Sequence, residues 1–228
     1  MRADELFQPA ADFPLAAILE PSAAPWTWLA AMRRHLDSLD WDLYPARNDI
    51  PPGLHISGSV FIHPTVKLPS YGEINGPCWI GEGCELRAGI YLRGYVIAGR
   101  HCVLGHACEI KNALLFDYVQ VPHFNYVGDS ILGNKAHLGA GVVLANLRFD
   151  HAPVNVLTAT GKVDTGLVKL GAMLGDGAEV GCNAVLQPGT VLGQRAVVSG
   201  GMVFSGTLEP GMLLAPTMTT LRKIQRPD

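Results

Sequence analysis

The chain has 228 residues, 48% of them apolar and 16% charged, with a net charge of −3. No basic stripe offers itself to nucleic acid or an anionic lipid surface, and no apolar run approaches the roughly 20 residues that span a bilayer. The opening "MRADELFQPAADFPLAAILEPSAAP" puts acids and prolines where a signal peptide needs a basic start and an unbroken apolar run. A soluble cytoplasmic protein that binds neither nucleic acid nor membrane is expected.

Three parts follow in chain order: residues 1–50 as a helical segment and linker, 51–215 as a solenoid with an excursion over 146–169, and 216–228 as a tail. In the first, "PSAAPWTWLAAMRRHLDSL" (21–39) reads as a helix with Ser22 as its cap and Pro25 in its first turn. Trp26, Leu29, Met32 and Leu36 fall near one face, so the helix is expected to cover the open end of the solenoid or to meet another subunit. "NDIPPGLHISG" then leads into a first, imperfect coil.

From Ile74 an apolar residue recurs every six positions: Ile74, Ile80, Leu86, Leu92, Ala98, Leu104 and Ile110. Four residues after each comes a second inward candidate: Cys78, Cys84, Ile90, Val96, Cys102, Cys108 and Leu114. The pattern returns as Leu174, Val180, Leu186, Leu192, Val198 and Phe204. A period of six fits neither a helix nor a simple alternating strand. It reads as a short strand plus a tight turn, three units making one coil of a parallel β-helix. Cys78, Cys84, Cys102 and Cys108 take the small inward slot and so read as packing residues. No close Cys-x-x-Cys or His pair suggests a metal site, and Cys182 falls outside the slot.

Within the solenoid, "EIKNALLFDYVQVPHFNYVGDS" (109–130) breaks the small-residue rhythm. Arg93 and Lys111 are eighteen residues apart. One full coil separates them, so their cations should stack, and an anion such as a phosphate between them would relieve the repulsion. The rhythm slips by one residue between Ile110 and Leu115, and His123 follows as a candidate general base. Glu109 is the acid expected to orient it, and Tyr126 supplies a hydroxyl. "NLRFDHAPVNVLTATGKVDTGLVK" (146–169) leaves the rhythm and should loop out from the coil wall.

The run "EIKNALLFDYVQVPHFNYVGDSILGNKAHLGAGVVLANLRFD" resembles the acetyltransferase half of bifunctional N-acetylglucosamine-1-phosphate uridyltransferase / glucosamine-1-phosphate N-acetyltransferases, over roughly residues 73–215. The resemblance implies a left-handed parallel β-helix, a homotrimer with sites between subunits, and acetyl transfer from acetyl-CoA, as co-substrate, to an amino sugar 1-phosphate. By position, Arg93 and Lys111 resemble the family's phosphate-binding pair and His123 its general base, with Glu109 beside it. Tyr126 and Asn146 resemble sugar-phosphate contacts. His137 stands where the family has an asparagine, which bears on sugar preference. The family's loop lysine has no clear counterpart, Lys162 and Lys169 being the two at hand. Cys182 and Gly200 resemble positions along the coenzyme groove, and the basic "LRKIQR" in the tail is a further candidate for the coenzyme's phosphates.

"PLAAILEPSAAP" lacks the glycines of a nucleotide-cradling loop, so nucleotidyl transfer is not expected from this chain. The competing readings are a non-catalytic β-helix trimer partnering a separate sugar nucleotidyltransferase, and an acyltransferase for another amino sugar or acyl group. A trimer carrying a γ-carbonic-anhydrase-like metal site would need three converging histidines. His101, His106, His123, His137 and His151 do not offer an obvious set.

Overall fold

The six-residue unit builds a left-handed parallel β-helix. The structure, a computed structural model, describes residues 1–217, so "LRKIQR" lies outside the described residues. Three parallel sheets form the walls of a prism. Wall A runs from Gly53–Ser57 to Val203–Phe204, wall B from Val60–Ile62 to Thr207–Leu208, and wall C from Glu85–Leu86 to Leu213–Leu214. Strands one coil apart pair in register, Ile74 with Leu92 and Leu92 with Ile110. The main apolar series and the four early cysteines fill one core. Burial pushes the Cys78 thiol up to about 12, so it stays a neutral packing group.

The walls meet at residues in the left-handed region. Tyr95, His101 and Ala107 follow one another at six-residue intervals, as do Asn112, Tyr118 and Phe124, and then Asp129 and Lys135. Two intervals are only five residues long, Ala107 to Asn112 and Phe124 to Asp129, and both cross wall A. The slip expected near His123 therefore sits at the A/B corner, one wall away, and a second slip follows a coil later. In consequence Ala113, not Leu114, occupies the inward slot. Leu114 turns outward. Asparagine and aspartate at the two shortened corners suit the left-handed conformation better than most residues.

Helix α1 spans Thr27–Ser38, and Ser22 bonds Glu20 rather than capping it. Trp26, Leu29, Met32 and Leu36 are buried as its spacing predicts. They do not cover the open end of the prism, however. Residues 1–43 lie along the outer face of wall B, where Phe7, Phe13 and Trp28 surround Phe116 beside Ile97, Leu114 and Ile131. The end itself is covered by the chain around Arg47, which donates to the carbonyls of His63 and Val66. Wall B's outward apolar row accounts for the docking, because Ile97, Leu114, Phe116 and Ile131 leave water when the N-terminal segment packs on them.

The excursion leaves wall A after Val143–Leu144 and returns at Met173–Leu174 on wall B. It contains a hairpin, Asn155–Thr158 with Gly161–Asp164. Instead of standing off the wall, Val154, Val156 and Leu170 fold back into the cluster on wall B. Wall B is thus covered by its own chain. No helix among the described residues is long and apolar enough to cross a membrane.

Phe116→Ala should cost about 3–5 kcal/mol in chemical denaturation, the range for deleting a buried aromatic, and should open residues 1–43 to limited proteolysis. A loss below about 1 kcal/mol, the range of an ordinary surface change, would show that the N-terminal segment is not docked on this ring.

Candidate active site on wall A and its two corners

Arg93 and Lys111 occupy the same row of wall A, since Leu92 pairs with Ile110 and Lys111 with Gly128. Their charged heads nevertheless part. The Arg93 guanidinium donates to Glu109 Oε1, and Lys111 Nζ donates to Asp129 Oδ2 at 2.9 Å. The expected pair of uncompensated cations holding an anion is therefore not what one chain presents. Each cation has its own carboxylate, which removes the repulsion that called for an anion.

The same bond occupies Glu109. Its carboxylate takes Arg93 rather than the His123 ring, and it holds the guanidinium's pKa above its ordinary value. His123 ends the wall C strand Gln120–His123, before the C/A corner at Phe124. Its ring is exposed, and among the described residues no side chain hydrogen-bonds to it.

What holds His123 is its backbone. Asn125 fills the small inward slot, accepts from His123 N through Oδ1 at 3.1 Å, and donates Nδ2 to the Gly139 carbonyl at 2.7 Å. The coil below yields at Gly105, where a Cβ would fall 1.7 Å from the Pro122 carbonyl oxygen. These two residues set the corner from which the imidazole projects. Cys182 and Gly200 share that corner column. Gly201 N donates to the Cys182 carbonyl at 2.7 Å, and a Cβ on Gly139 would meet Cys182 Sγ at 3.0 Å. The structure thus brings His123, Cys182 and Gly200 to one edge. His137 is elsewhere, on wall C between Gln120 and Glu179.

At the opposite edge of wall A a polar network surrounds Asp129, which sequence reasoning did not single out. The buried carboxylate accepts from Lys111, from Asn112 Nδ2 at 2.7 Å and from Asn146 Nδ2. Asn146 Oδ1 in turn lies 3.5 Å from the Tyr126 hydroxyl. The tyrosine lies flat along the wall only because Gly128 carries no side chain, since a Cβ there would come within 2.7 Å of both the Tyr126 hydroxyl and Asn146 Nδ2. Lys169 joins this corner through its bridge to Leu147, whereas Lys162 sits in the excursion's hairpin. The five-residue intervals ending at Asn112 and Asp129 were the available signal for this cluster. Among the described residues no group of three or more potential metal ligands converges.

The two ion pairs differ in burial, and that difference is measurable. Lys111 and Asp129 are 18% and 8% exposed, against 42% and 36% for Arg93 and Glu109. Lys111→Ala should destabilise the fold by about 3 kcal/mol, the lower end for breaking a buried pair, because two asparagine amides still face Asp129. Arg93→Ala should leave the melting temperature unchanged. Equal effects in the two variants would contradict the network.

The model of the GMPPB C-terminal domain matches residues 74–208. A bifunctional sugar-1-phosphate nucleotidylyltransferase/acetyltransferase of Sulfurisphaera tokodaii is 32% identical over 179 residues, covering 78% of this chain and 44% of the relative. The bifunctional protein GlmU of Methanococcus maripaludis is 30% identical over 185 residues, covering 81% and 44%. The chain therefore spans less than half the length of these relatives. Among solved structures, a perosamine N-acetyltransferase from Caulobacter crescentus, in complex with CoA and GDP-perosamine, is 19% identical with a TM-score of 0.36, covering 72% of this chain and 50% of that one. A score that low carries no weight here. The resemblance to the acetyltransferase part of bifunctional sugar-1-phosphate enzymes holds, and with its matched region exceeding half of the sequence, the chain belongs to the GMPPB C-terminal domain family.

Proposed function

We propose that the chain transfers acetyl from acetyl-CoA to the amine of an amino sugar 1-phosphate, working as a homotrimer. The observation that carries this is the layout of wall A. A histidine projects at one edge and a polar network lies at the other, with Tyr126 between them. Tyr126–Gly128 spans roughly 7 Å at 3.3 Å per residue, a width comparable with a pyranose ring and one substituent. The Sulfurisphaera tokodaii relative, a bifunctional sugar-1-phosphate nucleotidylyltransferase/acetyltransferase, supports the same reaction.

The chemistry needs no enzyme nucleophile. The acceptor's ammonium gives a proton to His123, and the free amine attacks the thioester carbonyl. The tetrahedral intermediate then collapses by breaking the C–S bond as the nitrogen sheds its second proton; the thiolate takes the proton held on His123 and leaves as CoA thiol, and the other proton passes to solvent. Tyr126 and Asn146 face the sugar and hold the amine in line, which lowers the entropic part of the barrier. Cys182 and Gly200, on the edge shared with His123, flank the coenzyme. Arg93 can exchange its exposed Glu109 partner for a substrate anion at little cost, while Lys111 stays on buried Asp129. Glu109, freed by that exchange, becomes available to His123.

A trimer fits the uncovered faces. Wall B is occupied by its own chain, whereas walls A and C keep half-exposed outer faces. His137 points off wall C and can join a wall A site only across a subunit contact.

His123→Ala should lower kcat with acetyl-CoA and glucosamine 1-phosphate by about 10²–10⁴ while leaving the fold and the oligomer mass unchanged. Acetylation at the normal rate would remove His123 from the mechanism. The unpartnered ring of His123 favours one other reading, a non-catalytic β-helix that partners a separate nucleotidyltransferase. Thermal shift separates the two: acetyl-CoA at 100 times its Kd should add about 2.7 kcal/mol of stability to the enzyme, and a scaffold should not respond.

A further inference from the structure

The edge of wall C that presents His123 carries a second imidazole one coil below. His106 closes the strand Val103–His106 as His123 closes Gln120–His123, and the two residues are partners across the sheet. Backbone bonds climb the same edge, from Phe124 N to the His106 carbonyl at 2.8 Å and from Gly141 N to the His123 carbonyl at 3.0 Å. From coil to coil the edge therefore reads Ala88, His106, His123, Ala140 and Cys182. Adjacent coils lie about 4.8 Å apart.

The two rings are held differently. His123 is exposed and unpartnered, whereas His106 is half-buried and fixed, its Nδ1 lying 2.6 Å from the Ala88 carbonyl oxygen. A carbonyl only accepts, so Nδ1 carries the proton, and Nε2 of the neutral ring keeps its lone pair. Phe124, at the corner after His123, packs edge-on against His106 with ring centroids 5.2 Å apart, and its centroid lies 6.4 Å from that of His123. One aromatic ring thus flanks both imidazoles.

Acetyl transfer to an ammonium must dispose of two protons. His123 takes the first and returns it to the departing thiolate. The second leaves the nitrogen after the new C–N bond has formed. The other ionisable groups around this edge are engaged elsewhere. Glu109 holds Arg93, Arg87 donates to Glu85 at 2.7 Å, and Cys108 turns inward with its thiol on the Val121 carbonyl at 3.3 Å. Cys182 stands two coils above His123. His106 remains, with an oriented basic nitrogen. A nitrogen hydrogen-bonded to both rings at about 2.8–3.0 Å needs their nitrogens about 5–6 Å apart, close to one coil spacing.

We propose that His106 is the second base of the reaction, taking through Nε2 the proton that the acceptor nitrogen sheds as the tetrahedral intermediate collapses. This deepens the acetyl-transfer reading and rests on it. Protons and electrons balance. The amine lone pair forms the C–N bond, the C–S pair leaves on sulfur and takes the proton from His123, and His106 passes its own proton to water. Nδ1 keeps its bond to Ala88 in both charge states, so the ring need not turn.

The test is steady-state kinetics of the full chain with acetyl-CoA and glucosamine 1-phosphate at fixed pH. In His106→Asn the amide nitrogen replaces Nδ1 on the Ala88 carbonyl but supplies no basic nitrogen. In His106→Ala the space of the ring is open. Both should lower kcat by about 10–10², at or below the low end for a general base, with both KM values unchanged and the melting temperature of His106→Asn unchanged. Added imidazole should restore part of the kcat of His106→Ala and leave the parent unaffected. A His106→Asn kcat within about twofold of the parent overturns the assignment. So does a loss confined to KM, or one that imidazole fails to restore in His106→Ala. His123→Ala, measured alongside, separates the two readings: if it is inactive while His106→Asn is normal, the reaction stands and the second base does not. A parent chain that transfers no acetyl removes both.

Discussion

The interval between corners is the constraint on which everything else depends. Each wall is short, each corner needs a residue in the left-handed region, and every strand pairs with those one coil above and below. A change in one interval therefore shifts the register of everything after it on that coil. Wall A is shortened twice in succession, before Asn112 and before Asp129. Those two shortened corners, with the excursion leaving from the third coil of the same stack, bring Lys111, Asn112, Asp129 and Asn146 into contact. The polar cluster is thus a consequence of geometry imposed on a monotonous scaffold.

Charge compensation then sorts the cations. Asp129 is buried, so it must be paired, and Lys111 with two asparagine amides does that. Glu109 and Arg93 are half-exposed and their bond is replaceable. Burial, more than spacing along the chain, decides which positive charges remain free for a ligand.

Much of the scaffold could be read from the residues. The six-residue series placed Ile74 to Ile110 inward, and the four early cysteines fell in the small slot where they are found. The buried face of α1 was also legible from Trp26, Leu29, Met32 and Leu36. Its docking place was not, because wall B's outward row becomes apolar and continuous only once coils stack Ile97 under Leu114 and Ile131. A strict count of four from Ile110 falls on Leu114, but the residue is lost before Ala113, so Ala113 takes the inward slot. For the site, the eighteen-residue spacing correctly put Arg93 and Lys111 in one row. Side-chain direction lay beyond it: the shortened corner carries Asp129 to Lys111 and leaves Glu109 to Arg93. Asn125 was equally hidden, since its role is to stitch the His123 backbone to Gly139 from inside the core.

The most direct test of the account is a crystal structure of the chain with coenzyme A and glucosamine 1-phosphate. The sugar should lie along Tyr126–Gly128, with its amine toward His123 and its phosphate toward the Asn112–Asp129 corner. The coenzyme thiol should reach the edge carrying Cys182 and Gly200. A sugar bound away from wall A, or turned so that its phosphate meets His123, would contradict it.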